Sequence, residues 1–145
     1  MKVTLERMNK AVHFRAKSAE GHTVDIDGGE TIGGEDKGVR PMQLVLMAAG
    51  GCSSIDIHLI LKKMRQSIED LRIEVEGERL DAVPALFKKI KFHYYFKGDL
   101  NEDKVRKAIK MSLDKYCSVV KMLDHNVEIV YDFSINGQLM EQKFD

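Results

Sequence analysis

Pro41-Met-Gln-Leu-Val-Leu-Met-Ala-Ala-Gly-Gly-Cys-Ser-Ser-Ile-Asp-Ile-His-Leu-Ile-Leu61 decides how this chain folds. Proline suits the first position of a helix, where its missing N–H costs nothing. A helix is expected from there to about Arg65, with Lys62, Lys63 and Arg65 at the end where the dipole favours cations. Leu44, Val45, Leu46, Met47, Ile55, Ile57, Leu59, Ile60, Leu61 and Met64 put apolar side chains on nearly every face. Such a helix is central and buried rather than amphipathic. It needs cover on two sides, more than one small sheet supplies, so an intertwined dimer is expected. Gly50-Gly51 interrupts the run just before Cys52, at roughly 1 kcal/mol per glycine relative to alanine. Either the backbone packs closely at the glycines, or a local break opens a helix N-terminus at the cysteine. The break would favour a thiolate, because free N–H groups and the dipole stabilise negative charge.

Outward from the helix the pattern changes period. Residues 2–8 and 11–18 alternate apolar and polar around Asn9-Lys10 and read as a hairpin, with a third short strand at 22–26. Gly28, Gly29, Gly33, Gly34 and Gly38 make residues 28–40 a mobile loop. After the helix, Leu71, Ile73 and Val75 share one face with Gly77, and Ile90, Phe92, Tyr94 and Phe96 share another. The longer loop Asp81–Leu86 joins them as an antiparallel pair with one dry face. Asn101 is a helix N-cap with Glu102 and Asp103 in the first turn; a second short helix spans Cys117 to Leu123. Val127, Ile129, Tyr131 and Phe133 form a closing strand. The class is α+β, in a single domain of residues 1–145.

The 145 residues carry 23 basic and 23 acidic side chains and no formal net charge. That balance argues against broad capture of nucleic acid or anionic membrane. The longest unbroken apolar run, Leu44–Ala49, is shorter than a membrane span, and the first ten residues lack a signal core. A soluble cytoplasmic protein is expected. Cys52 and Cys117 are far apart in sequence and make no metal motif, so no metal or cofactor is expected. In a reducing compartment they are free thiols or a transient redox pair. Each alone reads first as a packing thiol, because free cysteine is among the most buried residue types. Ser53 and Ser54 offer hydroxyl hydrogen bonds beside Cys52, whereas Asp56, one turn on, is either turned outward or a brake on reactivity. Met42 and Met47 are candidate linings of a pocket near Cys52. The five histidines show no ligand spacing, and His58 is a weak candidate base. The glycine-rich loop lacks the Gly-Lys-Ser/Thr of a phosphate loop, and Phe87–His93 is a strand with a wet cationic face.

Residues 38–61 resemble the central helix of the OsmC/Ohr family, which carries an N-P-E-x-L-…-A-A-x-x-A-C pattern there. Tyr116-Cys-Ser-Val-Val-Lys-Met-Leu123 is similar to the family's second motif, C-P-V-x-x-x-L. The resemblance, closest to a branch with P-M-x-x-V-L-M-A-A-G-G-C and K-Y-C-S-V, implies antiparallel sheets around a long central helix. It also implies an intertwined homodimer with active sites at the subunit interface, and thiol-dependent reduction of organic hydroperoxides. Cys52 would be the attacking thiol and Cys117 the resolving one, their disulfide being reduced by a dithiol donor. The family's peroxidases place Glu where this chain has Met42, and use an Arg near the N-terminal hairpin, for which Arg7 and Arg15 are candidates. The alternative is a non-catalytic member of the fold that binds a small hydrophobic ligand.

Overall fold

In the computed structural model, which describes residues 1–140, nearly every alternating stretch is a strand. The chain divides into two compact units, Met1–Val45 and Leu46 onward. In the first, β1 (Val3–Arg7), β2 (Phe14–Ser18) and β3 (Thr23–Ile26) form an antiparallel meander in chain order. The first turn is fixed by Asn9, whose Oδ1 accepts the N–H groups of Ala11 and His13 at 2.9 and 3.2 Å. Across the sheet, Asp25 accepts a bidentate pair from Arg15 at 3.0 and 3.1 Å and contacts His13 at 3.0 Å. Arg15, a candidate for holding a thiolate, is therefore already engaged by a carboxylate.

Residues 28–40 are ordered, against the expectation of a mobile loop. The buried Asp27 carboxylate accepts N–H groups from Gly28, Glu35 and Lys37 at 2.7, 3.1 and 3.0 Å. The Lys37 amide above all, with those of Glu35 and Gly28, holds this carboxyl below its usual range. The loop folds back so tightly that a side chain at Gly34 would meet the Gly28 carbonyl at 2.0 Å. Gly28, Gly34 and Gly38 reflect close approach of neighbouring atoms, whereas Gly33 supplies a left-handed φ of 81°.

Helix α1 (Pro41–Lys63) begins in the first unit and runs into the second. The second unit holds β4 (Asp70–Arg79), β5 (Phe87–Lys97), β6 (Glu128–Ile135) and β7 (Gln138–Leu139), in that order across the sheet. The β4–β5 pair is antiparallel as expected, with Ile90, Phe92, Tyr94 and Phe96 buried on one face. Gly77 in β4 leaves room for Phe87, whose ring lies 2.3 Å from where a Cβ would sit. The β5–β6 pair is parallel, which alternation alone does not specify. A parallel neighbour requires a long crossover, and the chain between the two strands supplies it as α2 (Glu102–Met111), a π-helical turn at Ser112–Tyr116, and α3 (Ser118–Leu123). Asn101 caps α2 as read, accepting the Lys104 N–H at 3.0 Å, and Val105, Ala108 and Ile109 are its buried stripe. On the wet face of β5, Lys89 pairs with Glu128 at 3.2 Å and Lys91 with Asp132 at 2.8 Å; His93 also contacts Asp132.

The expectation that α1 is buried all round holds for one face of it. Ala49, Ser53, Ile57 and Leu61, spaced by four, are completely buried. Two residues along, about 200° around the axis, Met47, Ile55 and Leu59 form a second four-spaced row that stands open, Ile55 at 63% exposure. Two opposed apolar stripes explain why no polar face was visible. The helix is long and apolar enough to span a membrane by length and composition. Its stripe of Ala49, Ser53, Ile57 and Leu61 is nevertheless packed inside the fold.

Candidate active site

Helix α1 is unbroken through Gly50, Gly51 and Cys52, so no helix N-terminus opens at Cys52. The glycines have different reasons. A Cβ at Gly50 would come 3.0 Å from Val75 Cγ2, whereas one at Gly51 would meet nothing within 4 Å. Close packing therefore accounts for the first, and the second lies on the open stripe. The neighbouring serines use their hydroxyls within the helix. Ser53 Oγ donates to the Gly50 carbonyl at 3.1 Å, and Ser54 Oγ to Gly51 at 2.8 Å, bonds internal to the helix. Ser53 Oγ in turn accepts the Tyr94 hydroxyl at 3.2 Å, pinning α1 to β5. Burial pushes the Tyr94 phenol above its ordinary range, so it stays a donor.

Cys117 arrives from the far side of the unit. In the π-helical turn its N–H donates to Ser112 O at 2.8 Å, spanning five residues instead of four. The backbone then extends at Cys117 (φ −70, ψ 98) before α3 begins. This turn delivers the side chain onto α1, with Sγ 3.9 Å from the Ala49 carbonyl. Cys117 is completely buried and Cys52 half-buried, and both are free thiols.

The two Sγ atoms and an Asp56 carboxylate oxygen all lie within 4.8 Å of one another. The fold thus brings together Cys52 and Cys117, and the half-buried Asp56 faces them. Ser112 Oγ lies 3.4 Å from the Ser53 carbonyl and 3.5 Å from Asp56 Oδ2, within reach of either acceptor. The Cys117 thiol is pushed up to about 12. Burial is the largest cause; the Val120 N–H works against it, and the hydrogen bond and charge of Cys52 add to it. At neutral pH Cys117 is therefore a proton-bearing thiol beside the more accessible sulfur.

A cleft of about 270 Å³ reaches the cluster at Asp56, and Leu59, Ile60, Met64, Met111 and Tyr116 contribute its apolar wall. The methionines at this wall are Met64 and Met111, not the Met42 and Met47 expected from sequence. His58 is exposed on α1, outside the thiol cluster. Ser112 and Tyr94 were not legible as site residues. Ser112 carries no motif, and Tyr94 was visible only as one of a buried strand face.

An α+β chain whose two free thiols converge from a long apolar helix and a helix junction defines its class by that arrangement. This chain belongs to the OsmC-like protein family, whose profile matches residues 34–132. It is 41% identical over 123 residues to Protein YhfA of Escherichia coli (strain K12), covering 84% of this chain and 89% of that one. A hypothetical protein from Aquifex aeolicus VF5 superposes with a TM-score of 0.78 at 33% identity, over 93% of this chain and 96% of that one. The organic hydroperoxide resistance protein OhrB of Bacillus subtilis shares the fold (TM-score 0.66, 21% identity, 92% and 96% covered). The family resemblance seen in the two cysteine motifs is thereby established.

Proposed function

We propose that the protein is a thiol-dependent reductase of organic hydroperoxides, with Cys52 as nucleophile and Cys117 as resolving thiol. The carrying observation is the convergence of both sulfurs within 4.8 Å. The Cys52 thiolate attacks the distal peroxide oxygen and the O–O bond breaks. The alkoxide takes a proton and leaves as alcohol, and Cys52 becomes a sulfenic acid. Cys117 sulfur then attacks Cys52 sulfur; its proton and the departing hydroxide leave as water, and a disulfide remains. A dithiol donor returns the pair to two thiols by exchange. The apolar cleft wall suits an alkyl or aryl peroxide, and a reducing cytoplasm suits a pair that must be regenerated.

The open stripe of α1 supports the intertwined homodimer in the same proposal. Met47, Ile55 and Leu59 are exposed, and Gly51 between them lets another backbone approach. Light scattering at two concentrations tests it, a dimer being expected.

Activity is tested by cumene hydroperoxide consumption with dithiothreitol. Wild type should turn over, Cys52→Ser should be inactive, and Cys117→Ser should form no internal disulfide, its Cys52 sulfenic acid being left to react with dithiothreitol directly. Activity retained in Cys52→Ser would sink the proposal. The cleft also supports the non-catalytic reading, an apolar ligand held beside Asp56. Native mass spectrometry showing a co-purifying ligand, together with inactive wild type, would favour it.

A further inference from the structure

The peroxidase chemistry needs two sulfurs and leaves the third member of the cluster without a part. Asp56 sits four residues after Cys52 on α1, so the two side chains leave the same helix face. Its carboxylate is within 4.8 Å of both sulfurs. A carboxylate beside a nucleophilic thiolate opposes the charge that the reaction requires. Its placement makes chemical sense if a cation sits among the three.

We propose that reduced Cys52, Asp56 and Cys117 form a binding site for a zinc-class divalent cation, with a fourth position open to the cleft. Two thiolates and one carboxylate are a donor set that zinc takes with tetrahedral geometry. Zinc–sulfur bonds of about 2.3 Å place two sulfurs about 3.8 Å apart around a tetrahedral centre. The two sulfurs, already within 4.8 Å, need close by no more than about 1 Å. Ser112 Oγ, 3.5 Å from Asp56 Oδ2, is placed to orient the carboxylate from behind. Burial keeps the bare Cys117 thiol protonated, but coordination displaces that proton, because the ion's charge exceeds any other in the site. Asp56 lines the cleft, so the ion has a route in and its open position faces a wall able to seat a small ligand. Disulfide formation would consume both sulfur ligands, so binding is confined to the reduced protein. The site does not depend on the pair's reducing peroxides, and its test reads binding alone.

The test uses the full chain reduced with tris(carboxyethyl)phosphine, dialysed against Zn²⁺, with Co²⁺ absorption reporting thiolate coordination. One ion per chain is expected. Cys52→Ser and Cys117→Ser should each weaken binding at least about 100-fold, and Asp56→Asn at least about 10-fold. His58→Ala, on the same helix outside the cluster, should leave it unchanged. Zn²⁺ should also slow labelling of Cys52 by a disulfide reagent in wild type. Binding by Cys52→Ser as tight as wild type would overturn the site. Equal binding by Asp56→Asn, a near-isosteric change, would overturn the three-ligand assignment even if a cysteine variant fails to fold. Hydroperoxide consumption, measured separately, distinguishes failure here from failure of the peroxidase proposal.

Discussion

Two adjacent helical glycines with opposite surroundings allow a stringent test of how α1 is packed. Replacing either by alanine removes backbone entropy from the unfolded chain and gains about 1 kcal/mol of helix propensity. At Gly51 the added methyl meets nothing within 4 Å, so Gly51→Ala should stabilise by close to that amount. At Gly50 the methyl would stand 3.0 Å from Val75 Cγ2, well inside the roughly 3.5–4.0 Å optimum for two carbons. Overpacking of this kind costs about 1–3 kcal/mol, which offsets or exceeds the propensity gain. Gly50→Ala should therefore be neutral to about 2 kcal/mol destabilising, and the two variants should differ by about 1–3 kcal/mol. Urea unfolding, compared through midpoints at constant m, measures the difference. Measuring at two protein concentrations separates any effect of Gly51→Ala on self-association. The double variant Gly50→Ala/Val75→Ala should recover part of the loss relative to Val75→Ala alone, because the clash partner has gone. Equal stabilisation by both single variants would refute the close approach of α1 to β4.

Tyr94→Phe removes the buried hydroxyl that donates to Ser53 and should destabilise by about 1 kcal/mol, read by urea unfolding; no change would mean that this bond does not anchor α1. Cys117, pushed up to about 12 from an ordinary value of 9.0, holds its proton over a range where the unfolded chain has lost it. Folded protein then binds more protons than unfolded protein, so stability falls as pH rises from about 9 to about 12, approaching 1.4 kcal/mol per pH unit. Cys117→Ala should lack that component when its unfolding is compared with wild type across the range; identical pH profiles would show that the thiol is not held protonated.

Local chemistry made much of this molecule legible. Pro41 and the terminal lysines bounded α1 to within two residues, alternation located the strands, and Asn101 announced α2. Tertiary pairing was hidden. The parallel register of β5 with β6 depends on a crossover whose direction no residue encodes locally. Strand β7 does carry a local signal: Asn136-Gly137, with φ of 51° and 82°, is a tight hairpin pair. The cysteine motifs pointed to the site, but not to Asp56 as its third member. Spacing by four left its direction open until Cys117 defined which face of α1 is the inner one. The hydroxyls of Ser53 and Ser54 are used inside the helix, where each finds a preceding carbonyl.

The π-helical turn before Cys117 concentrates the site's tolerance to length in one place. Five residues at Ser112–Tyr116 close the turn that four would close in an α-helix, so a deletion there that restores ordinary pitch keeps the Cys117 N–H near the same carbonyl. A deletion within α2, where each residue advances about 100°, would instead swing the following sulfur about that far around the axis. The spare residue in the turn is thus a place where the chain can change length and still keep the two sulfurs facing one another.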